Sequence, residues 1–153
     1  MMDGDGEVGE LLAEFEEVSG NWNMVREESV PYGRKESPLR KKSFQWALET
    51  AKRMRPHYND EFERHFAHQV MRSATAVAAA VEEANAAASK KQFIYKIRHA
   101  LQEANESKLW LSMIAGLEFS DDATVQRILA EGNEVRYLLA AIIKTFCKRY
   151  PDV

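Results

Sequence analysis

Residues 72–111 read RSATAVAAAVEEANAAASKKQFIYKIRHALQEANESKLWL, and this stretch decides the fold. Its first half carries Ala74, Val77, Ala78, Val81, Ala84 and Ala88. The i, i+3, i+4, i+7 spacing is that of an amphipathic helix. Alanine is the best helix former, and its small side chain lets a second helix approach closely. The second half repeats the period with larger residues: Phe93, Ile94, Ile97, Ala100, Leu101, Ala104, Leu111 and Ile114. Ser89 lies at the joint, with Gln92 three residues on, a capping-box signature. One helix ends there and the next begins, and so short a joint predicts antiparallel neighbours.

Working outward, the pattern continues on both sides. Ser37-Pro38 predicts an N-cap followed by proline in the first turn. A helix follows to about Arg55, with Phe44, Ala47, Leu48, Ala51 and Met54 expected on its buried face, and Pro56 ends it. Asn59-Asp60 starts the helix that runs through Phe62, Phe66 and Val70 into the alanine stripe. Gly116 is read as the C-cap of the third helix, and Ser120 as the N-cap of a fourth. That fourth helix carries the stripe Val125, Ile128, Leu129, Val135, Leu138, Leu139, Ile142 and Phe146, and Pro151 closes it. Four helices with short joints predict an all-α, antiparallel up-down-up-down four-helix bundle over residues 37–150, carrying an N-terminal acidic extension.

That extension, residues 1–36, is expected to be an acidic arm and linker, partly disordered or docked. Its residues 8, 11, 12 and 15 (Val, Leu, Leu, Phe) make a short apolar stripe. Alone, so short a helix is marginal in water and needs a surface. Residues 1–30 hold nine acidic residues and one basic, a net of −8; residues 31–153 hold fifteen acidic and twenty basic, a net of +5. An acidic arm is thus attached to a mildly basic body.

The word pattern resembles a known family. Arg72-Ser73, Glu83-Ala84, Ser89-Lys90-Lys91, Phe93, Ala100-Leu101, Glu103-Ala104-Asn105-Glu106 and Trp110-Leu111 are similar to the "four helix bundle protein" family. That family includes proteins encoded in intervening sequences of large-subunit ribosomal RNA genes. The accessory proteins of diversity-generating retroelements resemble the same fold. The likeness extends from about Ser43 to Lys148. Members usually carry Gly where this chain has Ala74 and Ala78, and Asn-x-Ala-Glu where it has residues 80–83; Glu83 alone of that signature is kept. The resemblance implies a homo-oligomeric ring, commonly a pentamer, and a structural role for Arg72, Glu83, Ser89, Lys90, Lys91, Phe93, Asn105 and Glu106.

Chemistry is sparsely supported. A di-metal bundle site needs Glu-x-x-His pairs, and the chain has none. Glu61, His65 and His68 come nearest, and such a pair of histidines is more often packed or solvated than ligating. Cys147, the single cysteine, falls in the last helical turn, where the dipole disfavours a thiolate. Glu83 and Glu106 are carboxylates on facing helices, read as ion-pair members rather than acid–base catalysts. The expectation is a non-enzyme without metal or cofactor. With no secretory leader, no membrane-length apolar run and one cysteine, a cytoplasmic location without membrane contact is expected.

Two surfaces are candidates for partners. Arg34, Lys35, Arg40, Lys41, Lys42, Lys52, Arg53 and Arg55 are opposed by only two glutamates between residues 34 and 55. Such a cluster can neutralise the phosphates of RNA or DNA, or be an ordinary solvated face. Trp46, Tyr95 and Trp110 fall off or at the edge of the predicted core stripes and are read as a candidate oligomer interface. A non-catalytic homo-oligomeric interaction protein is therefore the first expectation, and a nucleic-acid-binding accessory factor the alternative.

Overall fold

The computed structural model describes residues 37–153. The expected arm and linker, with Arg34 and Lys35, lie outside the described residues. Four helices follow: α1 (Pro38–Met54), α2 (Glu61–Asn85), α3 (Lys90–Leu117) and α4 (Asp122–Arg149), with a single 3₁₀ turn, Arg55–Tyr58, between α1 and α2. Among the described residues there is no strand. The 28 residues of α3 make a rod of about 42 Å.

Cross-helix contacts give the arrangement. Arg72 meets Glu103 and Glu106, Ser73 meets Ser107, and Glu83 meets Lys96. Residue numbers rise on α2 as they fall on α3, so the two run antiparallel. Asn105–Arg136 and Arg98–Cys147 set α3 against α4 in the same sense, and Trp46–Ile128 and Lys42–Glu134 set α4 against α1. Arg40 pairs with Glu82, at the far end of α2 from the α1–α2 turn. Each helix therefore packs on its two neighbours around one core.

Capping chemistry sets the joints. Asp60 accepts from the backbone N–H groups of Phe62 and Glu63, which starts α2. Ser89 Oγ accepts from Gln92 N at 3.1 Å, and Gln92 Oε1 accepts in return from Ala88 N at 2.9 Å. The return bond lands one residue before the N-cap, a variant of the expected capping box. Three expected caps differ. Ser37 stands at the N-cap of α1 without a side-chain capping bond; its hydroxyl is buried, and Pro38 carries the start. Asp121, not Ser120, caps α4, because its carboxylate reaches both Thr124 N and Thr124 Oγ1. Gly116 lies inside α3, and Glu118 takes the left-handed conformation beyond it, at φ 56°.

The stripes of α3 and α4 are the expected ones, and their Ile and Leu residues fill the core, with Leu101 and Leu129 half-buried at its margin. Helix α1 is rotated from expectation. Phe44 and Leu48 point outward, 60% and 43% exposed, while Leu39, Ser43, Trp46, Ala47, Thr50 and Met54 face inward. Trp46 is the cause. Its ring lies over Gly132 of α4, where an added Cβ would stand 2.8 Å from the ring, and its Nε1–H donates to Ile128 O at 3.0 Å. Ser43 and Thr50 can be buried beside it because their hydroxyls donate back to the carbonyls of Arg40 and Trp46. Trp46 is 3% exposed, which corrects its reading as an interface residue. A large indole buries more apolar area than a phenyl ring at the same contact, and the missing Cβ at Gly132 makes room for it.

Candidate functional site

The residues that carried the family words come together along the α2–α3 seam. Ser73 and Ser107 face each other there, with Ser107 Oγ donating to Ser73 Oγ at 2.8 Å. Two small hydroxyls allow a close approach and satisfy one another. Just outside, Arg72 clamps Glu106 and lies 3.8 Å from Glu103. Glu106 also accepts from Trp110 Nε1 at 3.1 Å. The Arg72 guanidinium, then the Trp110 N–H, hold the Glu106 carboxyl below the usual carboxylate range, and the same bond raises Arg72. Glu83 pairs with Lys96, which likewise lowers it. Each carboxylate is thus matched to a cation, the arrangement of an ion-pair seam. Lys90 Nζ lies 3.7 Å from the Tyr150 ring centroid, Phe93 is buried against Phe146, Asn105 accepts from Arg136, and Lys91 is exposed.

One end of this seam is apolar and open. The N-terminal turns of α2 bring Phe62, His65 and Phe66 beside Trp110 of α3 and Phe119 of the α3–α4 joint, with ring centroids 5.2–6.4 Å apart. His57 stacks edge-on against Phe119 and bonds to Glu63. Phe62 is 57% exposed. Leu109, Met113 and Leu117, at intervals of four residues on α3, extend the exposed apolar surface past Trp110. Tyr95, also exposed, lies eighteen residues before Met113. Five helical turns separate them, so both project from one strip of α3.

This apolar end was only partly foreseen. Trp110 belongs to it and Tyr95 shares its strip, while Phe62, which the sequence places on the line leading into the alanine stripe, is exposed. Its ring lies at the first turn of α2, beyond the level at which the four helices enclose a common interior. Phe119, Leu109 and Met113 carried no signal by themselves, since their company depends on which ends of α2 and α3 meet.

The expected basic cluster is present on α1 in part, and much of it is paired. Arg40 bonds Glu82 at 2.5 Å, Lys42 bonds Glu134 at 3.3 Å, and Lys52 and Arg53 share Glu49. The Lys52 ammonium lowers the Glu49 carboxyl. Lys41 and Arg55 are exposed. His68 meets the Tyr58 hydroxyl at 3.4 Å rather than His65. Among the described residues no group of three or more His, Cys, Asp or Glu is placed to hold a metal ion, and no helix is long and apolar enough to cross a membrane. Cys147 is exposed and accepts from Arg98 at 3.3 Å.

Comparison with known proteins agrees with this geometry. A solved structure from Bacteroides thetaiotaomicron, described as a protein with unknown function from the S23 ribosomal protein family, is similar over 69% of this chain and 98% of its own. The two share 31% sequence identity, with a TM-score of 0.66. No curated protein matches the chain. The model of the 23S rRNA-intervening sequence protein family matches residues 35–141, and the chain belongs to that family.

Proposed function

We propose that this intervening-sequence family member is a non-catalytic interaction protein that assembles with itself, as a pentamer, through the apolar end of the α2–α3 hairpin. One observation carries the reading: Phe62 packs with the half-buried Phe66 and Phe119, Phe66 in turn touches Trp110, and Phe62, Leu109, Met113 and Leu117 of the same two helices are each 40% or more exposed. Scattered exposed apolar residues are ordinary, but a contiguous group of this kind marks an interaction surface. Its aromatic and methionine content is that of interface cores. The resemblance noted from the sequence supports a ring. A ring needs a heterologous contact, so the apolar end of one copy meets a different surface on the next.

Nucleic acid is the weaker reading. Four of the six described cations of the 34–55 cluster are already engaged with Glu49, Glu82 and Glu134. Lys41 and Arg55 alone would be a thin phosphate track.

Light scattering on the full chain tests the assembly. Five chains of 17.5 kDa give about 88 kDa for a closed ring. A mass of one chain at micromolar concentration would contradict the proposal.

A further inference from the structure

The outward face of α1 has no covering element among the described residues, yet it is patterned. At 100° per residue, Phe44, Leu48, Lys41, Lys52 and Arg55 fall within an arc of about 80°. An apolar pair is therefore flanked by Lys41, Arg55 and Lys52, the last also paired with Glu49 of its own helix, with Phe44 60% and Leu48 43% exposed. This is the opposite side of α1 from Trp46, which faces the core.

Residues 7–18 read EVGELLAEFEEV and carry the reciprocal pattern. Val8, Leu11, Leu12, Phe15 and Val18 repeat at helical spacing. Glu7, Glu10 and Glu14 run along one edge of that stripe and Glu16 along the other, and the segment holds five glutamates and no cation. The family match begins at residue 35, so this segment is an addition to the shared bundle. The eighteen residues 19–36 reach at most about 60 Å when extended. Phe44 lies seven residues into the chain from Ser37, about 10 Å along α1. The tether is long enough for the segment to fold back.

We infer that residues 7–18 seat on the Phe44–Leu48 face of α1 in the same chain, apolar stripe on apolar pair, with their glutamates against Lys41, Lys52 and Arg55. Burial of Phe44, Leu48 and the arm's own stripe supplies attraction that neither surface has alone. The tether raises the local concentration of the arm to the millimolar range. The inference does not depend on self-assembly, because both surfaces belong to one chain.

Disulfide trapping in the full-length protein tests it. With Cys147→Ser as background, Leu12→Cys is combined either with Leu48→Cys or with Gln102→Cys, an exposed position on α3 across the bundle. Linkage of 12 to 48 within one chain should be faster than linkage of 12 to 102 by about tenfold or more, as the difference in effective concentration requires. Raising salt to about 1 M, where the screening length falls to about 3 Å, should reduce that advantage. Lys41→Glu with Lys52→Glu should reduce it too, and Glu10→Lys with Glu14→Lys added to that variant should restore it. Restoration by the second pair separates lost charge matching from damaged folding. Equal rates to both positions overturn the seat. Links found only between chains overturn it as well, and make the occupant a neighbouring copy's arm.

Discussion

Helix α1 and the α2–α3 hairpin solve the same burial problem in different ways. In the hairpin, small residues repeat at one period, and most of the face that reads as apolar is buried; Ala78 is half-buried, Ala88 lies exposed past the end of α2, and Ala80 is buried in addition. Ala74, Val77, Ala80, Val81 and Ala84 let α3 approach, and Ser73–Ser107 closes the seam with a single hydrogen bond. In α1, two apolar arcs compete. Phe44 and Leu48 form one; Leu39, Trp46, Ala47 and Met54 form the other and win. The hairpin's outcome rests on local periodicity, and α1's on one hole at Gly132, eighty-six residues from Trp46. A helix with apolar residues on two sides is oriented by its neighbours, and the losing side becomes surface available to something else.

The largest expected effect breaks this comparison at its centre. Trp46→Ala should destabilise the bundle by about 3–5 kcal/mol, as for other buried aromatic truncations. Phe44→Ala should change it by about 0.5 kcal/mol or less, as for surface positions. Denaturant titration of both variants measures the contrast. A larger loss for Phe44→Ala than for Trp46→Ala would mean that α1 is oriented as its sequence alone suggests.

A second test sharpens the hairpin side. Ala80 is buried and lies on the Ser73 side of α2, which faces α3, so Ala80→Leu should cost about 1–3 kcal/mol by overpacking. Chemical unfolding reads that loss directly. A neutral result would mean that the α2–α3 seam is loose.

The smallest effect is electrostatic. Glu106 and Glu83 have carboxyl groups lowered by Arg72 and Lys96 respectively. A carboxylate whose folded value is depressed contributes stability above its unfolded value, near 4.3 for glutamate, and loses it as pH falls through the folded value. Acidification below about pH 4 should therefore weaken the seam. Glu106→Gln should flatten that part of the pH–stability curve while costing about 0.2–1 kcal/mol at neutral pH, the range for exposed ion pairs. Thermal melts at several pH values distinguish the two proteins.

Much of the fold was legible. The stripes of α3 and α4 are long, strongly periodic and rich in Ile and Leu, and they are buried as expected except for the half-buried Leu101 and Leu129. The first two joints were legible because Asp60 and Ser89 act through local bonds and proline through its fixed φ and missing N–H; the third was not, since Asp121 rather than Ser120 caps α4. The facing of α1 was not, since nothing near Trp46 in the chain reveals a glycine on α4. The candidate surface was half legible for a similar reason. Tyr95 and Trp110 stand off the core stripes in the sequence, but Phe66, Trp110 and Phe119 come together only when the start of α2 packs beside the end of α3.

Two apolar surfaces thus receive two roles: the α2–α3 end is assigned to other copies, and the α1 face to the chain's own arm. Light scattering on two double variants separates them most directly. Met113→Asp with Leu117→Asp should reduce the full-length protein to the 17.5 kDa of a single chain, with helical content retained. Phe44→Asp with Leu48→Asp should leave the assembled mass unchanged. If the α1 variant dissociates the protein and the α2–α3 variant does not, the assignment of the two surfaces is contradicted.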